Sequence, residues 1–195
     1  MTDVRDLIES AITGFTAVVI DIPDDAWDNP TPCDGWTVRD VVNHVTGEQL
    51  WAARILSGQT VDQVGAALDG DLLGDDPIAA WSTAATESAA AWATADLDGR
   101  VLLSAGLTPT AEYAEQLLTD LAVHRWDLQR GSGVGGGMDG AVVEHVFAHL
   151  RGHPDEYSES AGFGPPVETD SEYAHDQLLA RLGRDPFWKA PSVGA

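Results

Sequence analysis

The chain has 195 residues, room for one generous domain and little for two. Its 32 Asp and Glu against 10 Lys and Arg give a net charge of −22, and a surface so acidic repels phosphate backbones and anionic lipid, which argues against nucleic-acid and membrane partners. At 44% hydrophobic it can still build a core, unlike a disordered acidic tail.

Periodicity predicts helices almost throughout. Val4, Leu7, Ile8, Ala11, Ile12, Phe15, Val18 and Val19 recur at three- and four-residue spacing, one apolar face of a first helix that Pro23 ends. Thr37, with Asp40 three positions on, caps a second helix whose stripe of Val38, Val41, Val45, Trp51 and Ile55 runs to about Gly58. The glycine- and aspartate-rich stretch 60–76 reads as loop with room for one short helical turn. Pro77 suits the first turn of a third long helix bearing Ile78, Trp81, Ala85, Ala89 and Trp92. Residues 101–107 fit either an extended or an irregular segment. Thr108-Pro109 opens a fourth long helix, with Glu112 in its first turn, that carries Tyr113, Leu117, Leu118, Leu121 and Leu128 to a glycine-rich break at 131–137. A shorter helix from about Gly140 presents Val142, Val143, Val146, Phe147 and Leu150 and is closed by Pro154. A last one, near 172–182, stops at Gly183.

The expected class is all-α: an up-and-down-type four-helix bundle over 1–155 with a short carboxy-terminal extension over 156–195 packed on it. No apolar run approaches the roughly 20 residues a bilayer span needs. The amino terminus, Met1-Thr2-Asp3-Val4-Arg5-Asp6, lacks the basic and apolar regions of a secretory signal. With one cysteine, Cys33, no internal disulfide can form, so a reducing, cytoplasmic setting is expected.

Asp120 and His124 stand four residues apart on the fourth helix, so their side chains leave one face, shared with Tyr113, Leu117, Asp127 and Leu128. A carboxylate and an imidazole so placed can share a divalent metal, and bundles build such sites from inward-facing side chains. A solvated acid–histidine pair is the commoner meaning of this spacing alone. His44, at the edge of the second helix's stripe, supplies a third ligand if the two helices face each other, and is otherwise a satisfied core histidine. Glu48, one turn on, backs it up or is simply solvated. A rival cluster of His145 and His149, with Glu144 alongside and His153 one turn further, has zinc-pair spacing but no HExxH pattern, and outer-face histidines explain it adequately. Cys33 precedes a helix start that can activate a thiol, but no histidine or lysine is close in sequence and Asp34 opposes ionisation, so a buried, inert cysteine is the better reading. Gly131, Gly133 and Gly136 match G-x-G-x-x-G but follow a helix rather than a strand, and read as a linker. The chain has no G-x-S-x-G elbow and no phosphate-loop lysine. The seven tryptophans are most simply core and pocket lining.

The run Thr31-Pro32-Cys33-Asp34-Gly35-Trp36-Thr37-Val38-Arg39-Asp40-Val41-Val42-Asn43-His44 resembles the opening signature of the mycothiol-dependent maleylpyruvate isomerase-like group, within the DinB/YfiT-like superfamily. Asp120-Leu121-Ala122-Val123-His124-Arg125-Trp126-Asp127-Leu128 is similar to its second signature, an acid-x-x-x-His followed by Trp-Asp, and 177–188 is similar to the tail of one branch. The resemblance implies a DinB/YfiT-like four-helix bundle holding a divalent metal through His44, Asp120 and His124. Zinc heads the candidates, with nickel and iron behind it. One departure is that the family usually has glutamate where this chain has Asp120, one methylene shorter. The family's isomerases also carry a larger carboxy-terminal domain that 195 residues cannot hold, so maleylpyruvate itself does not transfer as substrate.

The expected function is a thiol S-transferase or isomerase-like enzyme of the mycothiol type. Three protein ligands leave coordination positions open, so that a bound thiol is acidified for attack on a small electrophile. Arg39 and Arg125 are candidates to hold a substrate carboxylate, and Asp127 to orient His124. The alternatives are a small hydrolase activating water on the same metal and a non-catalytic module holding an apolar ligand. The expected partners are a small thiol and a small electrophile, with a homodimer favoured only by the general frequency of two-fold assemblies.

Overall fold

A computed structural model describes residues 2–153 and 163–191. Among the described residues seven helices run α1 (Val4–Ile20), α2 (Val38–Leu56), α3 (Val61–Val64), α4 (Pro77–Ala93), α5 (Thr110–Ser132), α6 (Gly140–Gly152) and α7 (Ala174–Arg181). A short 3-10 helix follows α3 (Gly65–Leu68), and a two-stranded antiparallel hairpin, β1 (Arg100–Leu103) and β2 (Gly106–Pro109), precedes α5. The all-α class is therefore as expected. No helix among the described residues is long and apolar enough to cross a membrane. The expected helix stop at Pro154 and the 155/156 boundary lie outside the described residues.

The chain divides into two compact units: one of 1–20 and 42–121, the other of 21–41 and 122–195. In the first, α1 buries Val4, Leu7, Ile8, Ala11, Ile12, Phe15, Val18 and Val19, the whole stripe that its periodicity marks out. It packs on α4. Phe15 meets the Trp81 ring with centroids 4.5 Å apart, and the Trp81 indole N–H donates to Thr16 Oγ1 at 3.0 Å. The large indole is thus buried without stranding its donor. Asp76 caps α4 by accepting from the Ala79 N–H at 2.9 Å, with Pro77 in the first turn.

Between α2 and α4 the loop is more ordered than its composition suggests. Thr60 and Gln63 form a reciprocal capping box on the one-turn α3. Asn43 of α2 holds the far end of this loop, donating to Gly70 O at 3.0 Å and accepting from the Leu72 N–H at 2.8 Å. The segment 101–107, undecided from sequence, is the hairpin: Arg100 pairs with Pro109 and Leu103 with Gly106. Strands this short carry too little alternation to be read from a pattern.

In the second unit, the turn 30–37 closes on itself: the Thr31 hydroxyl donates to Trp36 O at 2.9 Å and accepts from the Cys33 N–H at 3.2 Å. It delivers Thr37 to the start of α2, where Asp40 Oδ2 accepts from the Thr37 N–H and the Asp40 N–H donates to Thr37 Oγ1. α5 runs to Ser132, past the expected break at Gly131. Gly131 is needed there for contact: a Cβ would come within 2.7 Å of Thr31 Cγ2 and 2.9 Å of Val38 Cγ2. α6 buries Val142, Val143, Val146 and Leu150 and packs on α7. α7 ends in a Schellman turn, Gly183 N–H donating to Ala180 O (3.1 Å) and Arg184 N–H to Leu179 O (2.9 Å), with Gly183 at φ +78°.

Candidate functional site

Within the first unit, α2 and α5 bring His44 and Asp120 together: His44 Nε2 lies 3.3 Å from Asp120 Oδ1. The side chains are 25% and 14% exposed, open enough for a small ligand to reach and closed enough to strengthen electrostatics. Glu48, one turn along α2 from His44, is half-buried. Its charge and that of Asp120 act on Tyr113. Burial, then Glu48, then Asp120 hold the Tyr113 phenol well above its ordinary pKa of 10.0. The Tyr113 hydroxyl is buried with no hydrogen-bond partner among the described residues, and its ring leans on Trp92 at 5.4 Å.

One turn past Asp120 on α5, in the second unit, stands His124. It is fully buried, and its Nδ1 is 3.0 Å from Asp127 Oδ2. A carboxylate can only accept, so Nδ1 carries a proton, and in the neutral ring Nε2 is the nitrogen with the lone pair. Asp127, equally buried, also accepts from Arg184: Nη2 at 3.0 Å and Nε at 3.1 and 3.2 Å. The charge of Asp127 is thereby matched by a guanidinium that is itself only 3% exposed. Arg184 reaches this point because the Schellman turn at Gly183 fixes the backbone that follows α7. Flat rings flank the imidazole: Trp36 stacks at 5.7 Å and 11°, Phe163 at 6.2 Å and 16°. Arg184 in turn lies over the Phe163 ring at 5.8 Å.

Cys33 is buried as expected, but it is not remote from histidine: Cys33, His124 and Asp127 each offer a donor atom within 4.8 Å of the others. Because Asp127 already serves Arg184 and His124, the group reads as a carboxylate–histidine pair with a thiol at its edge. Arg39 and Arg125 are both half-buried. The Arg39 backbone N–H donates to Trp27 O at 2.9 Å, and Arg125 Nε has no hydrogen-bond partner among the described residues. The rival cluster gathers no third ligand among the described residues: His149 and His153 stack at 4.4 Å, and His153 Nδ1 turns to His149 O at 3.0 Å. Sequence reasoning missed Arg184, Trp36 and Phe163. Trp36 lies inside the opening signature and Arg184 inside the carboxy-terminal resemblance, and the helix-ending glycine beside Arg184 places an arginine just beyond a fixed turn.

The fold and this histidine–carboxylate arrangement define a helical protein of DinB-like class. The model of the mycothiol maleylpyruvate isomerase N-terminal domain matches residues 8–129, and the chain belongs to that family. It is similar to two proteins of Mycobacterium tuberculosis, from strains CDC 1551 / Oshkosh and ATCC 25618 / H37Rv, each described only as uncharacterized. Both are 26% identical to it over 186 residues, covering 90% of this chain and 94% of theirs. No solved structure matches the chain.

Proposed function

We propose that the chain is a divalent-metal-dependent, thiol-using transferase or isomerase-like enzyme, with His44, Asp120 and His124 as the metal's protein ligands. The observation that carries this is the state of His124: a buried imidazole whose Nδ1 is held by Asp127, itself neutralised by Arg184. Histidines prepared to coordinate through Nε2 are held in this way. The donor set of two imidazoles and a carboxylate fits a borderline divalent ion, with zinc first and iron or nickel as the alternatives. A metal bound there supplies Lewis acidity that lowers the pKa of a thiol enough to make it a nucleophile near neutral pH.

The chain's own residues do the rest. Asp127 and Arg184 keep His124 in one tautomer and one orientation. His44 and Asp120, close enough to bond each other, need only small shifts to share a third party. Tyr113, kept neutral by burial and by its acidic neighbours, keeps its proton as a hydrogen-bond donor. The family's association with mycothiol makes that thiol the first co-substrate to try, and a small electrophile is its partner. The acidic surface favours neither nucleic acid nor membrane.

The test is elemental analysis of untagged protein together with turnover of an electrophile with and without mycothiol. The expected result is a stoichiometric divalent metal and thiol-dependent turnover, both lost in His44→Ala and in Asp120→Asn. Turnover that ignores the thiol would select the water-activating hydrolase, and wild-type protein without stoichiometric metal would sink both.

A further inference from the structure

A second site lies in the 122–195 unit, on the face of α5 roughly opposite His124 and Asp127 by helical phase. A cleft of about 1020 Å³ is lined by Trp126, Gln129 and Arg130 of α5, by the glycine-rich segment 133–137, by Val143, Phe147 and Arg151 of α6, and by Tyr173. The α5 residues Trp126, Gln129 and Arg130 fall at i, i+3 and i+4, with Gly133 just beyond the helix end. On α6, Gly140, Val143, Glu144, Phe147, Ala148 and Arg151 repeat the pattern, so each helix turns one whole face to the cleft.

Three features indicate what this cleft takes. The first is charge. In a chain of net −22 with only ten Lys and Arg, two arginines line one cleft against a single acid, Glu144. Neither forms an ion pair with another described residue. Each is propped on an aromatic ring of the same wall, Arg130 over Trp126 at 5.4 Å and Arg151 over Phe147 at 5.9 Å. A cation–π contact of this kind steadies an exposed guanidinium while leaving N–H groups to meet a carboxylate. The second is the flat apolar surface of Trp126, Phe147 and Val143 beside those forks. The third is Gln129. It is 7% exposed, and its side-chain Nε2 has no hydrogen-bond partner among the described residues. A buried amide donor without an acceptor costs free energy that a ligand oxygen would recover. What covers it is the thinnest wall a protein can build: a Cβ on Gly136 would come within 2.8 Å of that nitrogen, at a backbone φ of +133° that favours glycine.

We propose that this cleft binds a small organic carboxylate with a flat apolar body and a second oxygen acceptor at its far end. Arg130 and Arg151 take the carboxylate, Trp126 and Phe147 face the ring, and Gln129 donates to the distal oxygen as the 133–137 segment makes room. The site is independent of the metal-centred function proposed above.

Isothermal titration with three probes tests it: 4-acetylbenzoate, the neutral 4-acetylbenzamide, and 4-isopropylbenzoate, which keeps shape and charge but lacks the distal oxygen. Saturable binding of 4-acetylbenzoate is expected, with each of the other two weaker by about tenfold or more. Arg130→Ala and Arg151→Ala should each weaken 4-acetylbenzoate to the level of the benzamide. Gln129→Leu should bring it to the level of 4-isopropylbenzoate while the thermal midpoint holds or rises, an outcome that a merely structural glutamine would not give. His44→Ala should leave this binding unchanged. Absence of saturable binding, equal affinity for acid and amide, indifference to the arginine or Gln129→Leu substitutions, or loss of binding in His44→Ala would each overturn the proposal.

Discussion

At the scale of single residues, the Asp127–Arg184 pair is where the chain commits most. Both groups are buried, so their attraction is unscreened, but so is the charge that either would leave behind. Arg184→Met should lower stability in urea by about 3 kcal/mol or more, because the Asp127 carboxylate is then stranded. Adding Asp127→Asn to it should restore part of the loss, since no net charge remains buried. Asp127→Asn alone should reduce metal affinity by roughly 10- to 100-fold with the fold intact, read by competition with a chromogenic chelator. Tyr113 gives a prediction in pH. Its folded pKa is raised above the unfolded value of about 10, so its neutral form favours the folded state. That contribution is whole below pH 10 and is lost as pH rises from there toward the folded pKa. Urea midpoints should therefore fall more steeply above pH 10 in wild type than in Tyr113→Phe, and equal slopes would contradict the burial argument.

At the scale of elements, the sequence shows what a single element records about itself. The α1 stripe is buried residue for residue, and the cap at Thr37 and the first-turn proline Pro77 lie where their chemistry puts them. The hairpin is undecidable from sequence, because four residues a side cannot separate a period of two from noise. The glycine cluster places the end of α5 too early. Gly131 looks like a helix breaker, whereas its lack of a side chain serves close approach to Thr31, Val38 and Pro30 O. The turn at Gly183 is legible, but not its purpose. Gly183→Ala would put a Cβ 2.6 Å from Gly164 O at a left-handed φ. A loss of more than about 1 kcal/mol is expected, together with weaker metal retention, because Arg184 follows directly. Purely local damage would lower the thermal midpoint and leave the metal in place.

At the scale of the whole molecule, charge comes first. A net charge of −22 opposes the compact state by self-repulsion, so the thermal midpoint should rise between low salt and about 0.5 M sodium chloride as that repulsion is screened. The same experiment separates kinds of metal binding. Scattered surface carboxylates should release weakly held divalent ions in high salt, whereas a site of two imidazoles and one carboxylate should keep its ion. The candidate ligands themselves are visible in the sequence because two share a helix and the third closes a recognisable motif. The groups that tune them are not, since Arg184 lies 57 residues from Asp127 and no local pattern joins them.

The family match stops at residue 129, three residues before α5 ends. It takes in His44, Asp120, His124 and Asp127 and leaves out Phe163 and Arg184, which close around His124 and Asp127. A segment of 8–129 transplanted alone would therefore import a negative charge designed to lie in the dark without its counter-ion. The exposed Asp127 would draw in water, and His124 would lose its single orientation. In this branch the donor set is portable but its tuning is not, and an engineered miniature would need a new cation built against Asp127 before it could be expected to hold a metal.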